Sequence, residues 1–181
     1  MDVVSALSQT FDCMHRVSAG VAPGALGRPT PCAEWDVAAL MTHAFGVVDA
    51  LGSVAGGGVP AAFVLDSGAP AAQFRTIADR TMAAWRSSGV MEREMNGGAG
   101  PMPGAAYASI NLLDTLTHSW DVAKATGQDP AIDEALAAFT LGVCEQLIAP
   151  QIRPGRFADP VAVATGASSL DRLVAFLGRT P

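Results

Sequence analysis

The chain is poor in positive charge. Its 181 residues include 11 Lys and Arg against 17 Asp and Glu, and the formal net charge at pH 7 is −6. Lys124 is the only lysine, and no run of basic residues occurs. Because affinity for a phosphate backbone comes from clustered cations, the composition argues against a nucleic-acid partner.

Cysteine pairs are also missing. The cysteines are odd in number and widely spaced, at Cys13, Cys32 and Cys144. No two of them form a CxxC motif, so neither a disulfide framework nor a structural zinc site is predicted. Free thiols of this kind are typical of a reducing cytoplasm.

Long hydrophobic runs are absent as well. The most apolar window, residues 45–65, contains Asp49 and is broken by the glycine run 56–58 and by Pro60. It cannot supply the roughly 20 uninterrupted apolar residues that a membrane span needs. The N-terminus, MDVVSALSQTFDC, has no basic segment and does not resemble a signal peptide. The sequence therefore predicts a soluble, cytoplasmic protein with no membrane partner.

What the sequence does contain is apolar residues at helical spacing. Half of the residues are hydrophobic, enough for one core, and the length predicts a single domain over 1–181. Residues 91–96 fit a short strand or a helical turn, and 97–103 a loop. Strands do not alternate with helices, so an all-α bundle is predicted. The predicted helices cover 3–19, 37–55 after an N-cap at Asp36, 71–88, 104–126, 131–148 and a short C-terminal segment ending at Gly178.

The fourth predicted helix carries a polar stripe opposite its leucine-rich face. Five polar residues fall within about 80° of one another, namely Tyr107, Asn111, Asp114, His118 and Asp121. Asp114 and His118 are four residues apart, so their side chains stack one turn apart and can converge on one ion. A solvent-exposed polar face is the competing interpretation, and the helix taken alone favours it.

The second predicted helix adds a histidine. His43 lies at the edge of that helix's apolar face, a position from which a ligand can project into a cleft between helices. A satisfied boundary histidine is the competing interpretation, and for an isolated residue it is the commoner one. His15 on the first helix has a similar position but no sequence partner, and it ranks below His43.

Three segments resemble the motifs of one known group. They are TPCAEWD at 30–36 with His43 following, DTLTHSWDVAKATGQ at 114–128, and SLDRLVAFLGRTP at 169–181. In this order they resemble an actinobacterial group of the DinB-like superfamily, related to the N-terminal metal-binding domain of mycothiol-dependent maleylpyruvate isomerase. The likeness extends over essentially the whole chain.

This resemblance implies a DinB-like bundle of four main helices with short additional helices. It also implies a divalent metal held by His43, Asp114 and His118. Apart from the resemblance, Asp121 is a candidate to orient His118 or a neighbouring backbone group, with a carboxylate that faces water as the alternative. Three protein ligands leave a coordination position open, as in catalytic sites. Zinc is the first choice of metal, with nickel, manganese or iron as alternatives.

The resemblance further implies a thiol-dependent reaction. Its expected partners are a low-molecular-weight thiol, mycothiol in the first place, and a small electrophile, and the expected activity is that of a transferase or isomerase. The isomerase has Glu where this chain has Asp114, and a second domain that this sequence does not contain, so maleylpyruvate isomerisation itself is not expected. The first alternative is a non-enzymatic helical-bundle stress protein that binds a metal or forms a homodimer. The second is a scaffold that retains the motifs without an ion.

Other residues near these motifs have mainly structural interpretations. Trp35 is predicted to pack against the end of the bundle, with substrate stacking as the alternative. Cys32 is interpreted as an inert thiol, although a nearby helix N-terminus could favour a nucleophilic thiolate. Cys13 and Cys144 are predicted to be core residues. Three arginines of the third helix are predicted to be solvated, with binding of an anionic substrate as the alternative: Arg75, Arg80 and Arg86.

Overall fold

The computed structural model describes all residues, 1–181, and 57% of them are helical. The all-α prediction is confirmed. The elements follow in the order α1 (Val3–Ala19), α2 (Val37–Ala55), α3 (Pro70–Trp85), β1 (Glu94–Asn96), β2 (Pro101–Pro103), α4 (Gly104–Thr126), α5 (Glu134–Leu147) and α6 (Ser169–Phe176). Short 3-10 turns lie at Pro23–Ala25 and Pro150–Ile152.

The chain divides into two compact units, Met1–Pro130 and Ala131–Pro181. The single domain predicted over 1–181 therefore stays a prediction. The first unit contains α1 to α4 and both strands, and the second contains α5 and α6.

The first unit is a four-helix bundle. Helix α1 packs on α3 and α4, and α2 packs on the same two helices, so each helix has two neighbours around a common core. The helices approach closely at Gly52, where a Cβ would collide with the side chain of Thr81 on α3. The largest fully buried side chains of this unit are Trp85, Tyr107, Phe11, Phe45, Phe74, Leu7, Met14, Leu40, Met41, Leu112 and Leu116.

The predicted helix signals have the expected structural roles. The Asp36 carboxylate accepts a hydrogen bond from the Ala39 backbone N–H at 2.8 Å, which caps α2. Gly127 ends α4 in the left-handed conformation, with φ of 73°. The third helix ends at Trp85, three residues earlier than predicted, and α5 begins at Glu134, after its N-cap Asp133.

The segment between α3 and α4 is a small hairpin. Strands β1 and β2 are antiparallel, with Met95 opposite Met102. The prediction that all of 97–103 is loop is wrong for β2, because Pro101 and Pro103 hide the strand signal in the sequence. The Tyr107 hydroxyl donates to the Gly100 carbonyl at 2.7 Å and thereby ties the turn of the hairpin to α4.

Helix α2 is long and apolar enough to cross a membrane by length and composition alone. Core helices of soluble proteins pass the same test, so a single such helix is weak evidence for a span. In this chain α2 packs on α3 and α4, and nine of its residues are buried. Its apolar character is accounted for by its place in the bundle.

The second unit pairs α5 with α6. The Glu134 carboxylate at the start of α5 accepts hydrogen bonds from the backbone N–H of Ser169, the nearer at 2.9 Å. The Arg153 guanidinium lies 4.7 Å from the ring centroid of Phe176. Cys144 is fully buried here and Cys13 is 4% exposed in the first unit, so both cysteines are core residues as predicted.

Candidate metal centre

Four of the five residues in the polar stripe of α4 are buried, and the fifth, Asp114, is partly buried with a side chain 18% exposed. Asn111 and Asp121 are fully buried, and Tyr107 and His118 are 1% and 7% exposed. The solvent-exposed interpretation, which the helix alone favoured, is therefore wrong. The reason is tertiary: α4 is packed by α1 on one side and α2 on another, so its polar and apolar faces are both covered.

His43 from α2 meets Asp114 and His118 from α4. The distance from His43 Nε2 to Asp114 Oδ1 is 3.1 Å, and from His118 Nε2 to the same oxygen it is 3.6 Å. The two imidazole rings are nearly perpendicular, with centroids 5.1 Å apart. One ligand atom from each residue lies within 4.8 Å of the other two. The structure thus brings together the three side chains singled out in the sequence.

The chemistry of this group fits a divalent cation. Asp114 Oδ2 is buried and has no hydrogen-bond partner. An unpartnered buried acceptor costs about 1–3 kcal/mol, so such an oxygen marks a position where a positive ligand is favoured. Two imidazole nitrogens and a carboxylate oxygen are a donor set that suits zinc and related metals.

Asp121 lies behind His118 and fixes its orientation. Its Oδ2 is 2.9 Å from His118 Nδ1. A carboxylate accepts hydrogen bonds, so Nδ1 carries the proton and Nε2 presents its lone pair towards Asp114. This is the arrangement in which the second nitrogen of a ligating histidine is held by an outer carboxylate.

His43 is held by the same carboxylate that completes the group. The hydrogen bond with Asp114 raises the pKa of His43 above its usual value, and the negative charge of Asp114 adds to this effect. Partial burial acts in the opposite direction. Protons and a cation therefore compete for the same imidazole nitrogen.

A loop before α2 forms one wall of the group. The Trp35 ring centroid is 4.6 Å from that of His43 and 6.0 Å from that of His118. Trp35 thus packs against the rings of both candidate histidine ligands, a contact that the predicted packing against the bundle end misses. The Thr30 hydroxyl donates to the Trp35 carbonyl at 2.8 Å and holds the loop in place.

Cys32 makes a contact that sequence reasoning missed. Its Sγ is 3.4 Å from Asp121 Oδ2, and with His118 and Asp121 it forms a second group of close ligand atoms. Cys32 and Asp121 are 89 residues apart, so no local spacing could reveal their contact. The only sequence signal was the presence of both residues in the two recognised motifs.

The remaining candidates lie elsewhere. His15 is not in either ligand group. Its pKa is lowered mainly by burial and to a smaller extent by the charge of Arg75. Arg75 forms an ion pair with Asp12 at 3.1 Å, and Arg80 pairs with Asp49. These two arginines are therefore engaged with carboxylates of the protein itself.

Comparison with known proteins gives two findings. The sequence model of a family described as the mycothiol maleylpyruvate isomerase N-terminal domain matches residues 7–123, a segment that includes every residue of both ligand groups. Two uncharacterized proteins of Mycobacterium tuberculosis, from strains CDC 1551 / Oshkosh and ATCC 25618 / H37Rv, are each 34% identical to the chain over 187 residues. Each alignment covers 99% of this chain and 99% of the relative. No solved structure matches the chain significantly.

Proposed function

Because the chain belongs to the family of the mycothiol maleylpyruvate isomerase N-terminal domain, we propose that it binds a divalent metal and catalyses a thiol-dependent transfer or isomerisation on a small electrophile. His43, Asp114 and His118 are the proposed metal ligands. The observation that carries the proposal is the approach of both imidazoles to Asp114 Oδ1, in a carboxylate whose other oxygen, Oδ2, is buried without a hydrogen-bond partner.

The three side chains define what the protein contributes. A divalent cation bound there would supply Lewis-acid chemistry, lowering the pKa of a thiol or a water at neutral pH. Three ligands leave at least one coordination position for that thiol or water. Asp121 keeps His118 in the binding tautomer, and Trp35 covers one side of the ligand rings and limits the access of solvent.

The proposed partners are a low-molecular-weight thiol, with mycothiol as the first choice, and a small electrophile. Zinc is the first choice of metal because the donors are nitrogen and oxygen, and nickel, manganese and iron are the alternatives. The three cysteines form no disulfide, which suits the reducing cytoplasm in which such thiols persist.

Metal analysis tests the ligand set. Protein purified without chelator is expected to contain about one equivalent of metal, and His43→Ala and His118→Ala little of it. His15→Ala is the matched control, since it removes the third histidine from outside the group. Retention of the metal by the first two variants, or its loss from the control alone, would show that the ligands are wrong.

A thiol panel tests the reaction. Metal-loaded protein is incubated with mycothiol or another thiol and a model electrophile, and the conjugate or isomer is measured by mass spectrometry and chromatography. Product is expected with the wild-type protein and is expected to be lost with chelator or with His118→Ala. A protein that binds one equivalent of metal and forms no product with any thiol would instead be the non-enzymatic metal-binding bundle.

A further inference from the structure

We propose that Cys32 is a positioning residue of the metal centre, which acts through Asp121 to hold His118 with its Nε2 towards His43 and Asp114. This inference rests on the proposed function, because it assigns a role to a residue that supports one of the proposed ligands.

The first step is the geometry around Asp121. Its carboxylate is fully buried, and one oxygen, Oδ2, receives both the His118 Nδ1–H at 2.9 Å and the Cys32 Sγ–H at 3.4 Å. A thiol is a weak donor, but a second donor on the same oxygen restricts rotation of the carboxylate. The orientation of the His118 ring depends on that carboxylate, so the thiol acts on the ring at one remove.

The second step is the rigidity of the loop that presents the thiol. The Cys32 backbone N–H donates to the Thr30 hydroxyl oxygen at 3.1 Å. The same hydroxyl lies 3.1 Å from the Cys32 carbonyl and 2.8 Å from the Trp35 carbonyl. Thr30 therefore holds Cys32 and Trp35 in one short, hydrogen-bonded turn.

The third step is that this turn contacts the ligands from two sides. Trp35 stacks on His43 with ring centroids 4.6 Å apart, while Cys32 reaches Asp121 behind His118. Asp36, which follows Trp35 in the sequence, caps the helix that carries His43. The segment 30–36 thus acts on both proposed histidine ligands, which gives its polar residues a common role.

The experiment measures zinc affinity by competition with a chromophoric chelator. Loss of an outer partner of a metal ligand costs about 10- to 100-fold in metal affinity, and this range is expected for Asp121→Asn. Cys32→Ala acts one bond further away, so a smaller loss of about 3- to 10-fold is expected. Cys32→Ser replaces the thiol donor with a hydroxyl donor and is expected to lose less affinity than Cys32→Ala. Cys13→Ala, a buried cysteine outside both ligand groups, is the matched control and is expected to bind zinc like the wild type.

A double-mutant cycle separates positioning from a general effect on the fold. If Cys32 acts through Asp121, Cys32→Ala causes no further loss of affinity, within about twofold, when Asp121→Asn is already present. An equal loss in both backgrounds would show that the thiol only supports the loop. The visible spectrum of the cobalt-loaded protein is a second readout, since it is sensitive to ligand orientation. It is expected to change in Cys32→Ala and not in Cys13→Ala.

The outcomes are distinguishable. A wild-type protein that binds no metal overturns the proposed function. A wild-type protein that binds zinc while Cys32→Ala binds it equally well overturns only the role of Cys32. Should Cys32→Ala fail to fold, the comparison of Cys32→Ser with the wild type, in both Asp121 backgrounds, decides the question.

Discussion

Replacing Asp114 with asparagine is expected to destabilise the protein under some conditions and to stabilise it under others. The sign of the effect depends on whether metal is bound and on the pH. The substitution keeps the shape of the side chain and removes its charge. In the metal-free protein that charge is partly desolvated, since Asp114 Oδ2 is buried without a partner. With metal, the same carboxylate is the proposed counter-charge of the cation.

The pH dependence in the metal-free protein follows from His43. Hydrogen bonding to Asp114 raises the pKa of His43 in the folded state. The pair therefore contributes stability that is fully present below the unfolded-state pKa, near 6.5, and is lost as pH rises through the folded-state pKa. At pH 6, Asp114→Asn removes this ion pair and is expected to destabilise the metal-free protein.

At pH 8.5 the balance is different. A smaller fraction of His43 is protonated than at pH 6, so the charge of Asp114 has less compensation. Leaving a charged group unsatisfied costs more than leaving an amide unsatisfied, by about 1 kcal/mol or more, while the neutral hydrogen bond to His43 can still form. Asp114→Asn is therefore expected to stabilise the metal-free protein by about 1 kcal/mol, or about 2–4 °C in Tm.

Metal reverses this order. Zinc at 100 times its Kd adds about 2.7 kcal/mol to the wild type, an increase of about 5–10 °C in Tm, and is expected to add little to Asp114→Asn. Tryptophan fluorescence is a suitable probe, because all three tryptophans, Trp35, Trp85 and Trp120, belong to the unit that carries the site. Thermal and urea unfolding are followed with EDTA and with zinc at both pH values.

Two results would refute this reasoning. Equal stabilisation of wild type and Asp114→Asn by zinc would remove Asp114 from the ligand set. A metal-free variant that is less stable than the wild type by more than about 1 kcal/mol at pH 8.5 would show that the carboxylate is satisfied without a cation.

Three further predictions concern single residues. Because the pKa of His43 is raised, lowering the pH is expected to weaken zinc binding sooner, at a higher pH, than it would with an unperturbed histidine. The measurement is the zinc Kd as a function of pH. A Kd that begins to rise only at or below pH 6 would contradict this prediction. Gly52→Ala is expected to lower the free energy of unfolding in urea by about 1–3 kcal/mol, because a Cβ there collides with the Thr81 side chain. Gly142→Ala, on a helix with open space around the site, is expected to raise it by about 0.5–1 kcal/mol. Equal effects of the two substitutions would refute the close packing at Gly52. Burial raises the pKa of Cys144 to about 12, so alkylation of this thiol at pH 8 is expected to be at least about 100-fold slower in the folded protein than in urea. Mass spectrometry of the labelled peptide measures both rates, and similar rates would contradict the prediction.

The helical part of the fold could be predicted closely from the sequence because its signals are local. The predicted first helix, 3–19, coincides with α1, and the Asp36 cap and the Gly127 end fall where the sequence places them. The hairpin could not be predicted, since Pro101 and Pro103 disguise β2 and its pairing depends on Met95 and Met102 meeting across a turn.

The candidate site was predictable in membership but not in environment. The spacing of Asp114 and His118 is a local property of one helix, whereas their contact with His43 needed the resemblance to a family, since nothing in the sequence measures the distance between α2 and α4. The contact of Cys32 with Asp121 was out of reach, because it depends on how a loop folds over another helix.

The burial of polar residues on α4 itself points to the site. Exposure statistics assign a stripe of Asn, Asp and His to solvent, yet the structure buries Asn111, His118 and Asp121. A bundle that covers such a stripe accepts a cost that apolar residues would avoid, and local rules are broken in this way mainly where function requires it. The cost is partly offset by the Asp121–His118 hydrogen bond, but Asp114 Oδ2 and Asn111 Nδ2 remain without partners. A cation bound to the Asp114 carboxylate would offset the remaining cost where it is greatest, at the buried oxygen of a charged group, which is why metal binding is the function that this pattern of burial supports best.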